Sequence, residues 1–223
     1  MGSADSLQYW NYNIPLDERT EECPVFLRNV SEKDRGILST PDEEYHISSW
    51  DEVREIAQAN RLELFKRVPS ELRRYMAFKY SLVQEHGSVA NFIFNQRLGW
   101  TAPVTARGAP FEFEDDYKIL YNDAPYGIDP RIVHLVVWTK FELVEDPTTG
   151  FLTDRARKEI DDFVSKTFRS HVPDEHVIWF KNWQALQSVR AVIHFHVMLF
   201  NPDPAFIHTV TKGDAPRGEP SKK

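Results

Sequence analysis

The 223-residue chain contains a single cysteine, Cys23. One cysteine excludes an internal disulfide and favours a reducing compartment. No apolar run approaches the ~20 residues that span a bilayer, and the opening residues MGSADSLQYW lack the basic-then-apolar pattern of a secretory signal. The sequence therefore predicts a cytoplasmic protein with no membrane partner.

Several common catalytic motifs are also missing. The chain has no P-loop, dinucleotide glycine fingerprint, HExxH, CxxC or nucleophile-elbow serine. These absences argue against the common nucleotide-driven and hydrolytic chemistries. The formal charge of −7 argues against binding nucleic acid over the whole surface, and no DNA partner is expected.

The charge is unevenly distributed along the chain. Residues 61–79 hold six bases against two acids, a net charge of +4, and residues 111–123 hold five acids against one base, a net charge of −4. Solvated helix and loop faces account for most such charge runs. A local basic track nevertheless remains available in an acidic protein.

The order of periodic segments predicts an α+β fold with a helical N-terminal half followed by a mixed β-sheet with flanking helices. Helices are expected after Ser49, Pro69, Thr153 and Pro204 and over residues 89–98, and strands over 117–121, 131–143, 176–182 and 191–200. We expect an extended arm over 1–48, a single domain over 49–211 and a disordered tail over 212–223.

Alternation in the last predicted strand carries the strongest functional signal. Ala191, Ile193, Phe195, Val197 and Leu199 share one face, and the opposite face holds His194 and His196. Histidine titrates nearest neutrality, so two imidazoles on one strand face form a candidate acid–base or metal site. A hydrogen-bonded structural role explains a histidine on such a strand about as well.

A second strand supplies a third imidazole. His134 shares a face with Val136 and Trp138, opposite Val133, Leu135 and Val137. If the two strands pair with these faces aligned, His134 joins the other two histidines. We therefore predict catalytic roles for His134, His194 and His196.

Further polar and aromatic side chains flank these strands. Asp123 and Tyr126 lie in the turn motif NDAPYG just before the His134 strand, and Arg97 ends the third predicted helix. The segment WFKNW at 179–183 closes another strand. Our candidate substrate-binding residues are Asp123, Tyr126, Asp116, Trp138, Trp179, Lys181, Asn182, Trp183 and Arg97.

Six segments together resemble a fungal family, the N-acetylglucosamine-induced proteins. They are RLELFKR (61–67), NFIFNQRLGW (91–100), NDAPYGID (122–129), VHLVVWTK (133–140), WFKNW (179–183) and HFHVM (194–198). The resemblance spans residues 49–214. The family pattern places glutamate before the first histidine of the last segment, where this chain has Ile193.

The resemblance implies an activity, that of the arginine-containing cyclodipeptide synthases. Such aminoacyltransferases join arginine and a second amino acid, taken from two aminoacyl-tRNAs, into a diketopiperazine of secondary metabolism. An aminoacyl ester is already activated, so no cofactor is expected, and attack by an amine needs a base such as histidine. A tRNA partner would use the basic residues Lys66, Arg67, Arg73 and Arg74.

Two alternatives remain open at this point. The histidine face is equally compatible with a small-molecule-binding or regulatory protein of amino-sugar metabolism. Three histidines would also suit a metal-dependent hydrolase or lyase, because imidazole is a frequent zinc ligand.

Overall fold

Each strand of the sheet lies within four residues of the predicted limits. The structure is a computed structural model that describes residues 7–183, 186–187, 189 and 191–216. The strands are β1 (Tyr117–Tyr121), β2 (Ile132–Thr139), β3 (Val177–Phe180) and β4 (Ile193–Phe200). With the helices below they make an α+β fold, which confirms the predicted class.

The sheet has the strand order β1-β2-β4-β3, and all three strand pairs are antiparallel. The expectation of a mixed sheet is therefore wrong in this respect. A parallel pair would need a long crossover connection. Here even β2 and β4, which residues 140–192 separate in the chain, run antiparallel.

Three of the helix ends have the capping residues that the sequence predicted. Ser49 and Glu52 form a reciprocal capping box at one helix start, Thr153 caps another, and Gly87 ends the longest helix with φ 75°. The α-helices are α1 (Glu32–Leu38), α2 (Trp50–Gln58), α3 (Pro69–His86), α4 (Val89–Phe92), α5 (Asp154–Val164) and α6 (Pro204–Val210). The π-helical turns Ile93–Leu98 and Ser165–Arg169 extend α4 and α5.

Both faces of the sheet are covered. One face packs Leu135, Val137, Phe195 and Val197 against α5 and its neighbours. The other face packs beneath α2, α3 and α4 through apolar residues that include Trp50, Val53, Leu82, Phe92, Val136, Trp138 and Met198. The protein is thus a three-layer arrangement, and the histidine-bearing face lies under the N-terminal helices.

The N-terminal segment is not extended throughout, contrary to expectation. Ser31 caps α1 by accepting from the Asp34 backbone N–H, and Leu38 of α1 packs with Leu27 and Leu72 of α3. Four short 3₁₀ turns lie in the described part of the remainder. The segment therefore forms part of the helical layer, although the sequence indicated little periodicity there.

The C-terminal segment follows the sheet edge. Asp214 accepts the Tyr121 backbone N–H at 2.9 Å, so residues up to this point contact the domain. The predicted disorder of 217–223 lies outside the described residues, and the domain limits stay a prediction. In the part of the chain that the structure describes, no helix is long and apolar enough to cross a membrane.

Candidate functional site

The pairing of β2 with β4 brings the three histidines to one face of the sheet. Trp138 lies opposite His194, Val136 opposite His196 and His134 opposite Met198, so the predicted alignment is confirmed. The three histidines are only 5–6% exposed. The sequence did not indicate this burial, because nothing in the strand pattern shows that the N-terminal helices cover the second face.

A directional hydrogen-bond chain runs through two of these histidines. Oδ1 of Asn122 accepts the Ala124 backbone N–H, which turns Nδ2 of Asn122 toward Nδ1 of His134 at 3.0 Å. An amide nitrogen only donates, so Nδ1 of His134 accepts and its proton lies on Nε2. That Nε2–H then donates to Nδ1 of His196, 3.0 Å away.

The chain ends at Asn182, which is 6% exposed. The tautomer deduced above leaves the proton of His196 on Nε2, and the structure places Nδ2 of Asn182, also a donor, 3.1 Å from this atom. A donor requires an acceptor, and Oδ1 of Asn182 has no other hydrogen-bond partner among the described residues. With the amide turned so that Oδ1 accepts, all four ring nitrogens of His134 and His196 are satisfied.

The surroundings of His134 and His196 hold both rings neutral. Burial, together with a smaller effect of the positive charge of Arg67, lowers the pKa of His134 to about 3. Burial also holds the pKa of His196 well below its ordinary value, with the neighbouring His134, His194 and Arg67 adding to the effect. Phe180 stacks on the His196 ring with centroids 5.1 Å apart. These two histidines are therefore a satisfied, neutral part of the core.

His194 differs from the other two histidines. Its Nδ1–H donates to the Val192 carbonyl at 2.7 Å, which fixes the tautomer and leaves the Nε2 lone pair as an acceptor. Within the described residues, Nε2 has no hydrogen-bond partner. Burial lowers the pKa of His194, while the bond to the Val192 carbonyl acts in the opposite direction. Of the three predicted catalytic histidines, His194 alone has a ring nitrogen available to a ligand.

The His194 ring lines a small cavity between the sheet and the helices above it. The cavity has a volume of about 80 Å³ and is bounded by α3, by the α4 segment, by residues 121–124 and by both central strands. Trp138 stacks beside His194 with ring centroids 4.5 Å apart. We call this cavity the histidine pocket.

A much larger cleft of about 1600 Å³ lies elsewhere, along β1 and beside α5 and α6. Two ion pairs lie within it, Arg107 with Asp115 and Lys212 with Glu114. The histidine pocket is the stronger candidate site despite its smaller size. It holds a buried titratable group, His194, whose Nε2 lone pair is available to a ligand.

Arg97 and Asp123 form one wall of the histidine pocket. The Arg97 side chain is 3% exposed, and its Nε donates to Asp123 at 2.8 Å. Its terminal nitrogens donate to both oxygens of Asp214, at 2.6 and 3.0 Å. Burial lowers the pKa of Arg97, but the contacts with Asp214 and Asp123 outweigh it and raise the pKa. The guanidinium is therefore fully engaged within the protein.

Other predicted substrate-binding residues divide into two groups. Tyr126 and Asn182 lie with the histidines, since the Tyr126 and His134 ring centroids are 5.3 Å apart. Asp116, Trp179, Lys181 and Trp183 make structural contacts away from the pocket. Asp116 accepts the backbone N–H groups of Arg107 and Gly108. The other three donate to side-chain oxygens: Trp179 to Asp161, Lys181 to Glu145 and Trp183 to Asn60.

The four predicted tRNA-binding residues also divide into two pairs. Arg67 donates to the Ala124 carbonyl and lies over the Tyr75 ring, and Arg73 donates to the Trp10 carbonyl at 2.7 Å. Lys66 and Arg74 are exposed, and Arg74 pairs with Glu71 on the same helix. Arg67 and Arg73 thus hold the helical layer together, and the other two present charge to solvent.

Sequence reasoning missed two residues of the site. Asn122, at the start of the histidine chain, belongs to a motif that reads as a turn by composition. Asp214 lies in a polar segment expected to be disordered. No signal in the sequence links Asp214 to Arg97, because 116 residues separate them. Among the described residues, no group of three His, Cys, Asp or Glu side chains is arranged to hold a metal ion.

The fold and pocket define a class of α+β protein in which a helical layer encloses a neutral histidine cluster on an antiparallel sheet. A family model described as protein of unknown function, DUF3605, matches residues 49–200. The chain belongs to this family.

Two curated relatives and one solved structure are similar to the chain. N-acetylglucosamine-induced protein 1 of Candida albicans is 27% identical over 92% of this chain and 83% of the relative. An uncharacterized protein of Saccharomyces cerevisiae is 32% identical over 75% of this chain and 86% of its own length. The crystal structure of HTC1 is 27% identical, with a TM-score of 0.60 over 74% of this chain and 94% of that one. The first relative agrees with the resemblance inferred from the motifs.

Proposed function

We propose that the protein is a tRNA-dependent cyclodipeptide synthase that joins arginine and a second amino acid into a diketopiperazine. The observation that carries the proposal is the open Nε2 of His194 in the histidine pocket, with Nδ1–H held by the Val192 carbonyl. The motif resemblance to the arginine-containing synthases supplies the substrate class.

The reaction needs a base and an activated carbonyl. The α-amine of one aminoacyl-tRNA attacks the ester carbonyl of the other, so a C–N bond forms while the C–O bond to the ribose breaks. The proton lost by the amine passes through Nε2 of His194 to the departing ribose oxygen. A second attack closes the ring, and the products are one diketopiperazine and two free tRNAs.

The pocket suits this chemistry in two ways. A neutral imidazole is already in the state that accepts a proton, because burial disfavours its cationic form. The exposed Lys79, which lines the pocket, supplies positive charge, which favours the neutral, nucleophilic form of a nearby amine. The tRNAs would contact the exposed Lys66 and Arg74, in a cytoplasmic location that the single cysteine favours.

A second candidate function has one observation in its favour. The Candida albicans relative is named as N-acetylglucosamine-induced, which suits a binding or regulatory protein of amino-sugar metabolism. In that case the histidine pocket would hold a small metabolite, and no aminoacyl-tRNA would be consumed.

The deciding experiment supplies purified protein with arginyl-tRNA and a mixed pool of aminoacyl-tRNAs and searches for cyclo-Arg-Xaa products by mass spectrometry. We expect products that disappear after RNase treatment and in the His194→Gln variant. If no diketopiperazine forms while calorimetry detects binding of N-acetylglucosamine or its phosphate, the second candidate replaces the first.

A further inference from the structure

The histidine pocket has mainly apolar walls. The side chains that enclose it include Phe78, Leu82, Phe92, Val136, Trp138 and Val189. Five of these six are buried in one continuous apolar cluster, and Phe78 packs against it. Such walls favour apolar ligand atoms and penalise a charged group that cannot be paired.

The charges at the pocket are unfavourable for a guanidinium. Among the described residues, those that line the cavity and carry charge are two cations, Lys79 and Arg97, and one anion, Asp123. The Asp123 carboxylate already accepts the Nε–H of Arg97 at 2.8 Å. An arginine side chain entering the pocket would therefore find the carboxylate among these residues already ion-paired and Lys79 as a like charge.

The volume limits what the pocket holds. A dry cavity of about 150 Å³ accommodates benzene. The histidine pocket, at about 80 Å³, offers roughly half of that space. A side chain of the size of valine or proline fits these limits better than an aromatic ring does.

We infer that the histidine pocket binds the side chain of the second amino acid, that this side chain is small and aliphatic, and that the arginine side chain binds elsewhere. The inference rests on the proposed function, because it assigns one of the two substrates to the site. In this position the α-amine of the second aminoacyl group comes within reach of Nε2 of His194. Leu82 then limits the size of the accepted side chain.

The test enlarges the pocket at one wall. Leu82 lies on α3, lines the pocket and is 5% exposed, whereas Leu72 lies on the same helix, is 3% exposed and does not line the pocket. Leu82→Ala and Leu72→Ala therefore remove the same atoms from equally buried sites. Only the first substitution opens the pocket.

Each variant receives arginyl-tRNA with equal amounts of valyl-tRNA and phenylalanyl-tRNA. The wild-type protein should favour cyclo-Arg-Val, and Leu82→Ala should shift the product ratio toward cyclo-Arg-Phe by about tenfold or more, the usual weight of fitting or misfitting a methylene group. Leu72→Ala should leave the ratio unchanged. Both products come from the same sample, so the folded fraction cancels.

The outcomes separate this inference from the proposed function. If products form but Leu82→Ala leaves their ratio unchanged, the pocket does not select the side chain, and the synthase activity stands. If the wild-type protein forms no product, calorimetry with valine amide and phenylalanine amide tests the pocket alone. We then expect Leu82→Ala to favour phenylalanine amide by a similar factor. Failure of valine amide to bind the wild-type protein, or equal effects on both amides, would overturn the inference.

Discussion

Nε2 of His134 lies 3.0 Å from Nδ1 of His196, and this single hydrogen bond joins the two rings. The direction of that bond follows from Asn122, whose Oδ1 accepts the Ala124 backbone N–H so that its Nδ2 donates to His134. A buried network in which every donor and acceptor is hydrogen-bonded fixes the packing of a core, but it leaves no ring nitrogen for a substrate. The contact therefore separates two histidines that organise the site from His194, which faces the pocket.

The buried imidazole of His134 should make stability depend on pH. Its pKa falls from about 6.5 in the unfolded chain to about 3 in the folded protein, so between these values the unfolded state binds more protons. The stabilisation is complete above pH ~6.5 and is lost as the pH falls toward ~3. Replacing His134 with Asn should reduce the slope of the unfolding free energy by about 1.4 kcal/mol per pH unit in this window.

Urea unfolding at several pH values between 4 and 7.5 measures that slope. His208→Asn is the control, because this side chain is exposed in the folded protein and in the unfolded chain alike. An unchanged slope in His134→Asn would contradict the neutral, buried state assigned to His134.

Replacement of His194 with Gln should reduce turnover by about 10²–10⁴-fold, since a general base contributes about this much. The melting temperature should fall less than in His196→Gln, because the only described hydrogen bond of the His194 ring is to Val192. His196→Gln should do the reverse, with a lower melting temperature and near-normal turnover per folded molecule. Near-normal turnover in His194→Gln would show that His194 is not the general base.

The ion pair between Arg97 and Asp214 should contribute to stability. Asp214→Asn leaves the 3% exposed guanidinium with one carboxylate fewer, and we expect a loss of about 1–3 kcal/mol. Asp162→Asn is the matched control, because Asp162 pairs with Lys158 on the protein surface, where such pairs contribute about 0–1 kcal/mol. Equal losses of unfolding free energy in both variants would show that the buried ion pair stabilises the protein no more than the surface pair does.

Gly127 should not tolerate a side chain. A Cβ at this position would overlap the ring of Tyr45, whose hydroxyl donates to the Lys66 carbonyl. Gly127→Ala should therefore destabilise the protein by about 1–3 kcal/mol, the usual cost of overpacking. Gly36 lies in α1 with open space around it, so Gly36→Ala should stabilise by up to about 1 kcal/mol. Thermal unfolding of both variants measures whether their changes in stability have the expected opposite signs.

Charge reversal at Lys66 and Arg74 should weaken tRNA binding without unfolding the protein, because both side chains are exposed. The slope of log K against log salt should fall by about 1 per lost phosphate contact. Reversal of Arg155 and Lys158, which lie on α5 at the opposite face, is the control with the same change in net charge. Equal binding by both double variants would exclude a tRNA surface on the α3 side.

Local signals in the sequence predicted most elements, because they depend on near neighbours. The Ser49–Glu52 capping box, Pro69, Gly87 and Thr153 each mark the helix end that the structure shows. Helix α1 was missed because the prolines around it suggest an irregular arm. The antiparallel sheet was predicted as mixed, since strand direction depends on connections that periodicity does not encode.

The sequence by itself determined that His134, His194 and His196 lie on strand faces opposite apolar side chains, because alternation along a strand is a local property. Only the tertiary structure decided what each histidine does. The covering helices bury all three, Asn122 and Asn182 satisfy two of them, and the Val192 carbonyl leaves Nε2 of the third open. Burial and hydrogen-bond partners come from residues distant in the chain, and these partners set whether an imidazole is a core residue or a base.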